Sequence, residues 1–226
     1  MKHNMKRMSI IAAALLVLWT APVAHGQDEV DAVLAGMEDF WSGVETFSAE
    51  FRQEKTLALF SDTLSSTGTL LFQKPERMIW KYDPPDETVM SLSPGKVIFY
   101  FPGLNQAKII FLSGGEDTTG LAPLGFGMGG GIGEMTDRFS VTVERDGNII
   151  EVTFIPKERV EGDRIERIIV RVDDTYMPVG TTFVETGGDV TELVFSHQLI
   201  NAPLDADAFE VEFPPGTSVE TIGSGE

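Results

Sequence analysis

The stretch Thr69–Pro85, TLLFQKPERMIWKYDPP, decides how the rest of the chain is read. It holds Leu70, Leu71, Phe72, Met78, Ile79, Trp80 and Tyr82, interrupted by Lys74-Pro75-Glu76 and closed by Pro84-Pro85. Short apolar runs bounded by turn-forming residues read as strands joined by a tight connection.

The same theme extends outward in both directions. Upstream, Phe47, Ala49 and Phe51 alternate with Ser48, Glu50 and Arg52, the two-residue period of a strand with one buried face. Further strands are expected near 64–73, 77–83, 86–92, 96–101, 105–112, 138–145, 148–156, 164–173, 178–186 and 189–200, making about eleven in all. Ser93-Pro94-Gly95, Asp146-Gly147-Asn148 and Gly187-Gly188-Asp189 supply turns between them. Connections this short imply antiparallel neighbours in one large sheet, and a sheet of that width must curl or close to bury its apolar side.

Before the strands, Asp28–Trp41 carries Val30, Val33, Leu34, Met37, Phe40 and Trp41 at the spacing of an amphipathic helix, with Gly43 as its stop. The expected fold class is therefore mainly β. One large antiparallel sheet curls into an unclosed barrel, with an N-terminal helix and a lid segment over the concave hydrophobic face.

Alternation places Phe47, Phe51, Leu70, Phe72, Met78, Trp80, Tyr82, Met90 and Leu92 on one face. These are bulky and partly adaptable side chains rather than a tight Val and Ile set. They read either as ordinary core beneath the helix or as the wall of a hollow too large for one helix to fill.

Charge and targeting signals narrow the function classes. Lys2, Lys6 and Arg7 precede the uncharged run Met8–Ala24, and Ala24-His25-Gly26 has the small residues of a signal cleavage site. We therefore expect residues 1–26 to be a cleaved secretory leader and residues 27–226 to form one domain. Cleavage would remove three of the 17 basic residues and none of the 35 acidic ones, moving the formal charge from −18 to −21. Such a chain is unsuited to nucleic acid, whose phosphates need Lys and Arg, and to unaided docking on anionic lipid headgroups. With no cysteine, the chain has neither disulfides nor a lipid-modified N-terminal cysteine. A freely diffusing, monomeric, exported protein is the expectation.

Three patterns that could mark chemistry are weak in context. Gly125-Phe126-Gly127-Met128-Gly129-Gly130 satisfies G-x-G-x-x-G but interrupts an antiparallel pattern, where a dinucleotide site needs a βαβ unit. His197 is the only histidine beyond the leader and shares a period-two side with Leu193, Phe195 and Leu199, so it reads as a packed or rim residue. One histidine without cysteine does not make an ordinary transition-metal cluster, and no G-x-S-x-G elbow is present. The neighbouring acids Asp173-Asp174 and Glu116-Asp117 lie outside any calcium-loop pattern and read as solvated surface. No catalytic residue, metal ligand or cofactor is assigned.

A wider constellation carries a family resemblance. Phe51-x-Gln53, Gly68-Thr69-Leu70, Lys74-Pro75, Trp80-x-Tyr82, Pro84, Gly95-Lys96 and Tyr100 are followed near the end by Asn201, Phe209, Phe213-Pro214-Pro215-Gly216 and Val219. Together, from about Phe47 to Val219, they resemble the outer-membrane lipoprotein carrier (LolA) family. The likeness is weak between Ser113 and Asp137.

The resemblance implies a non-enzymatic periplasmic chaperone that holds the acyl chains of lipoproteins inside an incomplete barrel, moving them from the inner to the outer membrane. The nine residues named above would be cavity wall. Partners would be acylated lipoproteins, an inner-membrane lipoprotein-releasing ABC transporter and an outer-membrane receptor. A carrier or sensor of another lipid or glycolipid on the same fold is the alternative.

Physical chemistry constrains such a site. A triacylated N-terminus offers on the order of 45 methylenes, which at ~0.8 kcal/mol each would give roughly 36 kcal/mol if all were buried. Non-covalent affinities stop near ~20 kcal/mol, and a carrier must release its cargo. The cover is therefore expected to be partial and deformable, with a lid that opens.

Two departures from the family pattern concern that lid. Relatives often carry Arg before the Pro of Lys74-Pro75, where it is thought to tie lid to barrel. Lys74 would latch more weakly, because an ammonium lacks the planar five-donor fork, and it reads equally as an exposed turn lysine. The segment Gly114–Gly133 holds nine glycines where relatives place helical lid elements, which disfavours helix there. Leu121, Leu124, Phe126, Met128 and Ile132 could still fold inward over the cavity.

Overall fold

A computed structural model describes residues 25–60, 62–112, 132–158, 164–205 and 207–223. The chain opens with helix α1 (His25–Ser42) and continues into β1 (Thr46–Leu57), β2 (Asp62–Gln73), β3 (Arg77–Tyr82), β4 (Val89–Ser93), β5 (Lys96–Phe101) and β6 (Gln106–Phe111). A short helix α2 (Ile132–Arg138) leads into β7 (Phe139–Asp146), β8 (Ile149–Pro156), β9 (Ile165–Asp173), β10 (Pro178–Glu185) and β11 (Val190–Ile200), and β12 (Ser218–Ile222) ends the series.

All twelve strands form one sheet in the order β12-β6-β5-β4-β3-β2-β1-β11-β10-β9-β8-β7. Its two edges, β12 and β7, do not pair, so the barrel stays open as expected. β12 was not foreseen. Only Val219 and Ile222 are large and apolar in its five residues, too little for a periodic signal, and it is held by parallel pairing with β6.

The curl is visible in contacts that a flat sheet forbids. β3 and β11 are three strands apart, roughly 14 Å in a flat sheet. Yet the rings of Trp80 and Phe195 lie 6.2 Å apart. Register explains which side faces inward: Phe47 pairs with Phe72, Phe72 with Met78, Leu70 with Trp80 and Trp80 with Met90. Gly68 sits in this row because a Cβ there would lie 2.2 Å from the Lys81 carbonyl oxygen and 2.7 Å from the Phe51 ring.

Helix α1 closes one end of the hollow. It buries Val30, Val33, Leu34, Met37 and Trp41, five of the six residues expected from its periodicity, and leaves Phe40 half-buried. Arg145 at the end of β7 donates to Glu29 at 2.9 Å, and Gly36 leaves room for the Tyr176 ring from the β9–β10 turn. Trp41 meets Phe47 and Phe72 edge-on at 5.7 and 5.8 Å. The β2–β3, β7–β8 and β9–β10 turns thus all lie at this helix end. At the opposite end the β1–β2 and β10–β11 turns meet, the Ala58 N–H donating to Asp189 at 3.0 Å.

The convex side differs between the two wings. Over β3 to β6, Ile79, Ile98 and Tyr100 are buried because the segment after β11 crosses them on its way to β12. Arg77 stacks over Phe209 at 4.8 Å, and Tyr100 meets Phe213 at 5.3 Å. Over β8 to β11 the convex face is mixed, with Ile155 and Val194 exposed and Arg171 donating to Thr182 and bridging Glu151 and Glu192.

An apolar pocket at the uncovered end

Among the described residues, side chains fill the hollow under α1 but not at the other end. There Trp80, Tyr82 and Met90 from β3 and β4 face Ile165, Phe183, Thr191 and Leu193 from β9, β10 and β11, with Gln53 of β1 and Glu185 of β10 beside them. They enclose about 420 Å³ of empty space, open mouth included.

The pocket wall carries a small polar element. The Tyr82 hydroxyl donates to Gln53 Oε1 at 2.8 Å, and Lys55 pairs with Glu185 at 3.4 Å. Burial pushes the Tyr82 phenol up to about 12, so it stays neutral and a donor at physiological pH. Phe51 stands behind this wall, its ring 4.9 Å from those of both Trp80 and Tyr82.

The nine residues grouped from sequence share the concave face, but only Trp80, Tyr82 and Met90 line the pocket. Phe47, Leu70, Phe72 and Met78 are buried in the packed core that includes α1, and half-buried Leu92 packs against that core opposite Met78. Sequence reading did not assign Gln53, Ile165, Phe183, Glu185, Thr191 and Leu193 to the cavity. Their alternation was legible, but not that β1 pairs with β11, which sets Gln53 opposite Leu193 and Phe51 opposite Phe195.

Lys74 sits at the helix end. Its Nζ donates to the Ser42 carbonyl at 2.7 Å, and its backbone N–H donates to the Glu45 carbonyl at 2.9 Å. A cation at the last carbonyls of α1 also meets the negative end of the helix dipole. Asn201 ties the same junction to the end of β11: its Oδ1 accepts from Glu45 N at 2.7 Å and its Nδ2 donates to Gly43 O at 2.9 Å.

Of the lid candidates, Ile132 is fully buried in α2 and Met135 packs beside it, while Leu121, Leu124, Phe126 and Met128 lie outside the described residues. The G-x-G-x-x-G segment and Glu116-Asp117 lie outside them too. His197 is not on the Leu193–Phe195 side. An extra residue in β11 opposite Ser48–Glu50 makes a bulge, His197 takes φ +52°, and its Nδ1 lies 3.0 Å from exposed Glu50. Among the described residues no group of three or more His, Cys, Asp or Glu side chains could hold a metal ion, and no helix is long and apolar enough to cross a membrane.

A curled, unclosed sheet with a helix across one end and an open apolar pocket at the other defines the class, a β half-barrel. The chain belongs to the family described as outer membrane lipoprotein carrier protein LolA, whose model matches residues 42–212.

Among its relatives are the outer-membrane lipoprotein carrier proteins of Pseudomonas paraeruginosa and Cupriavidus taiwanensis. The first is 25% identical over 218 residues, spanning 95% of this chain and 99% of the relative, and the second 28% identical over 223 residues, spanning 96% and 98%. Two crystal structures share the fold at low identity. An uncharacterized conserved protein from Thermus thermophilus matches with TM-score 0.53, 11% identity and coverage of 85% of this chain and 99% of that one. MucB matches with TM-score 0.50, 10% identity and coverage of 82% and 63%.

Proposed function

We propose that the protein is a soluble periplasmic carrier of lipoproteins that holds their acyl chains against the concave face, without catalysis. The observation that carries this reading is the pocket at the uncovered end. Large, adaptable side chains from both wings of the sheet stand there around space that no described side chain of the protein fills. Family membership and the names of the relatives support the same role. Residues 1–26 are its export leader and 27–226 its single working domain.

Geometry suggests how capacity is set. The pocket alone is too small for a triacylated cargo, which would need the volume now taken by α1. Lys74 and Arg145 each tie α1 to the sheet by one polar contact, a link suited to a lid that lifts when cargo competes for the same apolar surface. Loading would come from an inner-membrane ABC transporter and delivery would go to an outer-membrane receptor, with the carrier acting as a monomer.

The test is binding of an acylated lipopeptide, alongside mass spectrometry of whatever copurifies from cells. Acylated lipoprotein should be found bound, and Trp80→Asp should abolish binding because the new carboxylate faces an apolar wall. Unchanged binding by Trp80→Asp would remove the pocket from the mechanism. Copurifying phospholipid or glycolipid without lipoprotein would replace this cargo with another.

A further inference from the structure

The pocket end also carries an apolar feature that the carrier role as proposed does not use. Six residues of β2, Asp62–Thr67, extend past the last residue of β3, which pairs with Gly68. At about 3.3 Å per residue the β1–β2 hairpin therefore overhangs its β3 side by on the order of 20 Å. At and near its tip, Leu59 is 89% exposed, Phe60 71% and Leu64 56%, and these are among the most exposed large apolar side chains described.

We propose that this overhang is a membrane-contact element that dips into a zwitterionic phospholipid surface and brings the pocket mouth to the bilayer. The inference rests on the carrier reading. Its own support is threefold. First, the tip lies at the same end as the pocket mouth, because Gln53 and Tyr82 on the pocket wall lie beside the root of the overhang. Second, Leu64 falls on the concave side in the row Ser66, Gly68, Leu70, so the inner face of β2 runs from the tip toward the pocket. Third, between Leu57 and Thr67 the sole charged residue is Asp62, in a chain of net charge −18.

That charge pattern selects the surface. The tip has no Lys or Arg to pair with anionic headgroups, whereas Leu59 and Phe60 suit the apolar boundary of a neutral bilayer, and the Ser and Thr residues behind them suit its polar zone. The strength is also appropriate. A few exposed side chains offer less apolar surface than a myristoyl chain, which itself binds membranes only marginally and reversibly. Contact would be brief, as a diffusing carrier requires.

The chain has no cysteine, so a single label reads the contact directly. Thr63→Cys carrying bimane, in the full-length mature protein, should be quenched by phosphatidylcholine vesicles with nitroxide-bearing chains. The same label at Glu76→Cys, on the turn at the helix end, should not be. Adding Leu59→Ser with Phe60→Ser should weaken vesicle affinity by at least about tenfold. Both residues are exposed, so thermal stability should be unchanged, as should binding of a fluorescent fatty acid in the pocket. An unquenched Thr63→Cys label, or unchanged vesicle affinity in the double serine variant, overturns the proposal. Loss of fatty-acid binding in Trp80→Asp, with tip quenching intact, separates the pocket from the tip. Failure of the unsubstituted protein to bind the fatty acid counts against the carrier reading while leaving the tip measurement independent.

Discussion

The two ends of one concave face are built from the same strands and nearly the same residue types, yet one is filled and the other is not. At the helix end, Trp41, Met37 and Val33 descend onto Phe47, Phe72 and Leu70, and every one of these side chains is at least 97% buried. At the open end, Trp80 is equally buried, but its neighbours Tyr82 and Met90 are only partly so and border empty space. What separates them is α1. A bulky apolar row becomes core where a second element covers it and borders a pocket where none of the described elements does.

The largest effect should come from opening a hole at the filled end. Trp41→Ala removes a ring wedged between Phe47 and Phe72 and should cost about 3–5 kcal/mol, read as a lower urea midpoint. A cost near zero would mean that α1 is only loosely seated. Met90→Ala sharpens the contrast. Its side chain already borders space, so stability should fall by only about 1 kcal/mol while lipopeptide affinity drops. Equal stability losses from the two substitutions would erase the distinction between the ends.

Smaller effects probe the links between them. Lys74→Met removes one charge-assisted hydrogen bond to Ser42 and should cost about 1 kcal/mol, discounted for partial exposure. Hydrogen exchange should accelerate in α1 but not in β9 or β10. Uniform acceleration would deny Lys74 a role as a local latch. Lys74→Arg should retain most of the protection.

The smallest effect is a titration. Tyr82 has its pKa raised by burial, so the folded state keeps the phenolic proton after the unfolded state has begun to lose it. Its contribution is therefore fully present below pH 10 and is lost as pH rises from about 10 toward about 12. Tyr82→Phe should flatten that part of the stability curve and leave the curve below pH 9 parallel to the original. An unaltered alkaline slope would place the phenol in water.

Much of this architecture was readable in advance, for a local reason. Strand alternation in Phe47–Arg52 and Thr69–Tyr82, turn chemistry at Pro75 and Gly147, and the α1 stripe each depend on neighbours a few residues away. Two local readings still failed. The bulge at Ser48–Glu50 turned His197 to the other face, since one extra residue reverses a period-two assignment. β12 escaped notice because five residues are too short for a periodic signal, although Val219, Thr221 and Ile222 favour a strand, and its parallel partner β6 lies more than 100 residues earlier.

The candidate site was half legible. Trp80, Tyr82 and Met90 were found because they alternate in consecutive strands, whereas Phe183 and Leu193 belong to hairpins more than 90 residues away in sequence. No local pattern says that these two sets face one hollow.

Sequence alone determined eleven of the twelve strands, their inward faces up to the bulge in β11, the N-terminal helix and most of its buried stripe, and through spaced motifs the family. Tertiary structure decided which inward residues are core and which are pocket. The reason is that side-chain alternation is set within each strand, while the β1–β11 pairing, the curl of the sheet and the seat of α1 join residues up to 158 positions apart, as the Asn201 contact to Gly43 does.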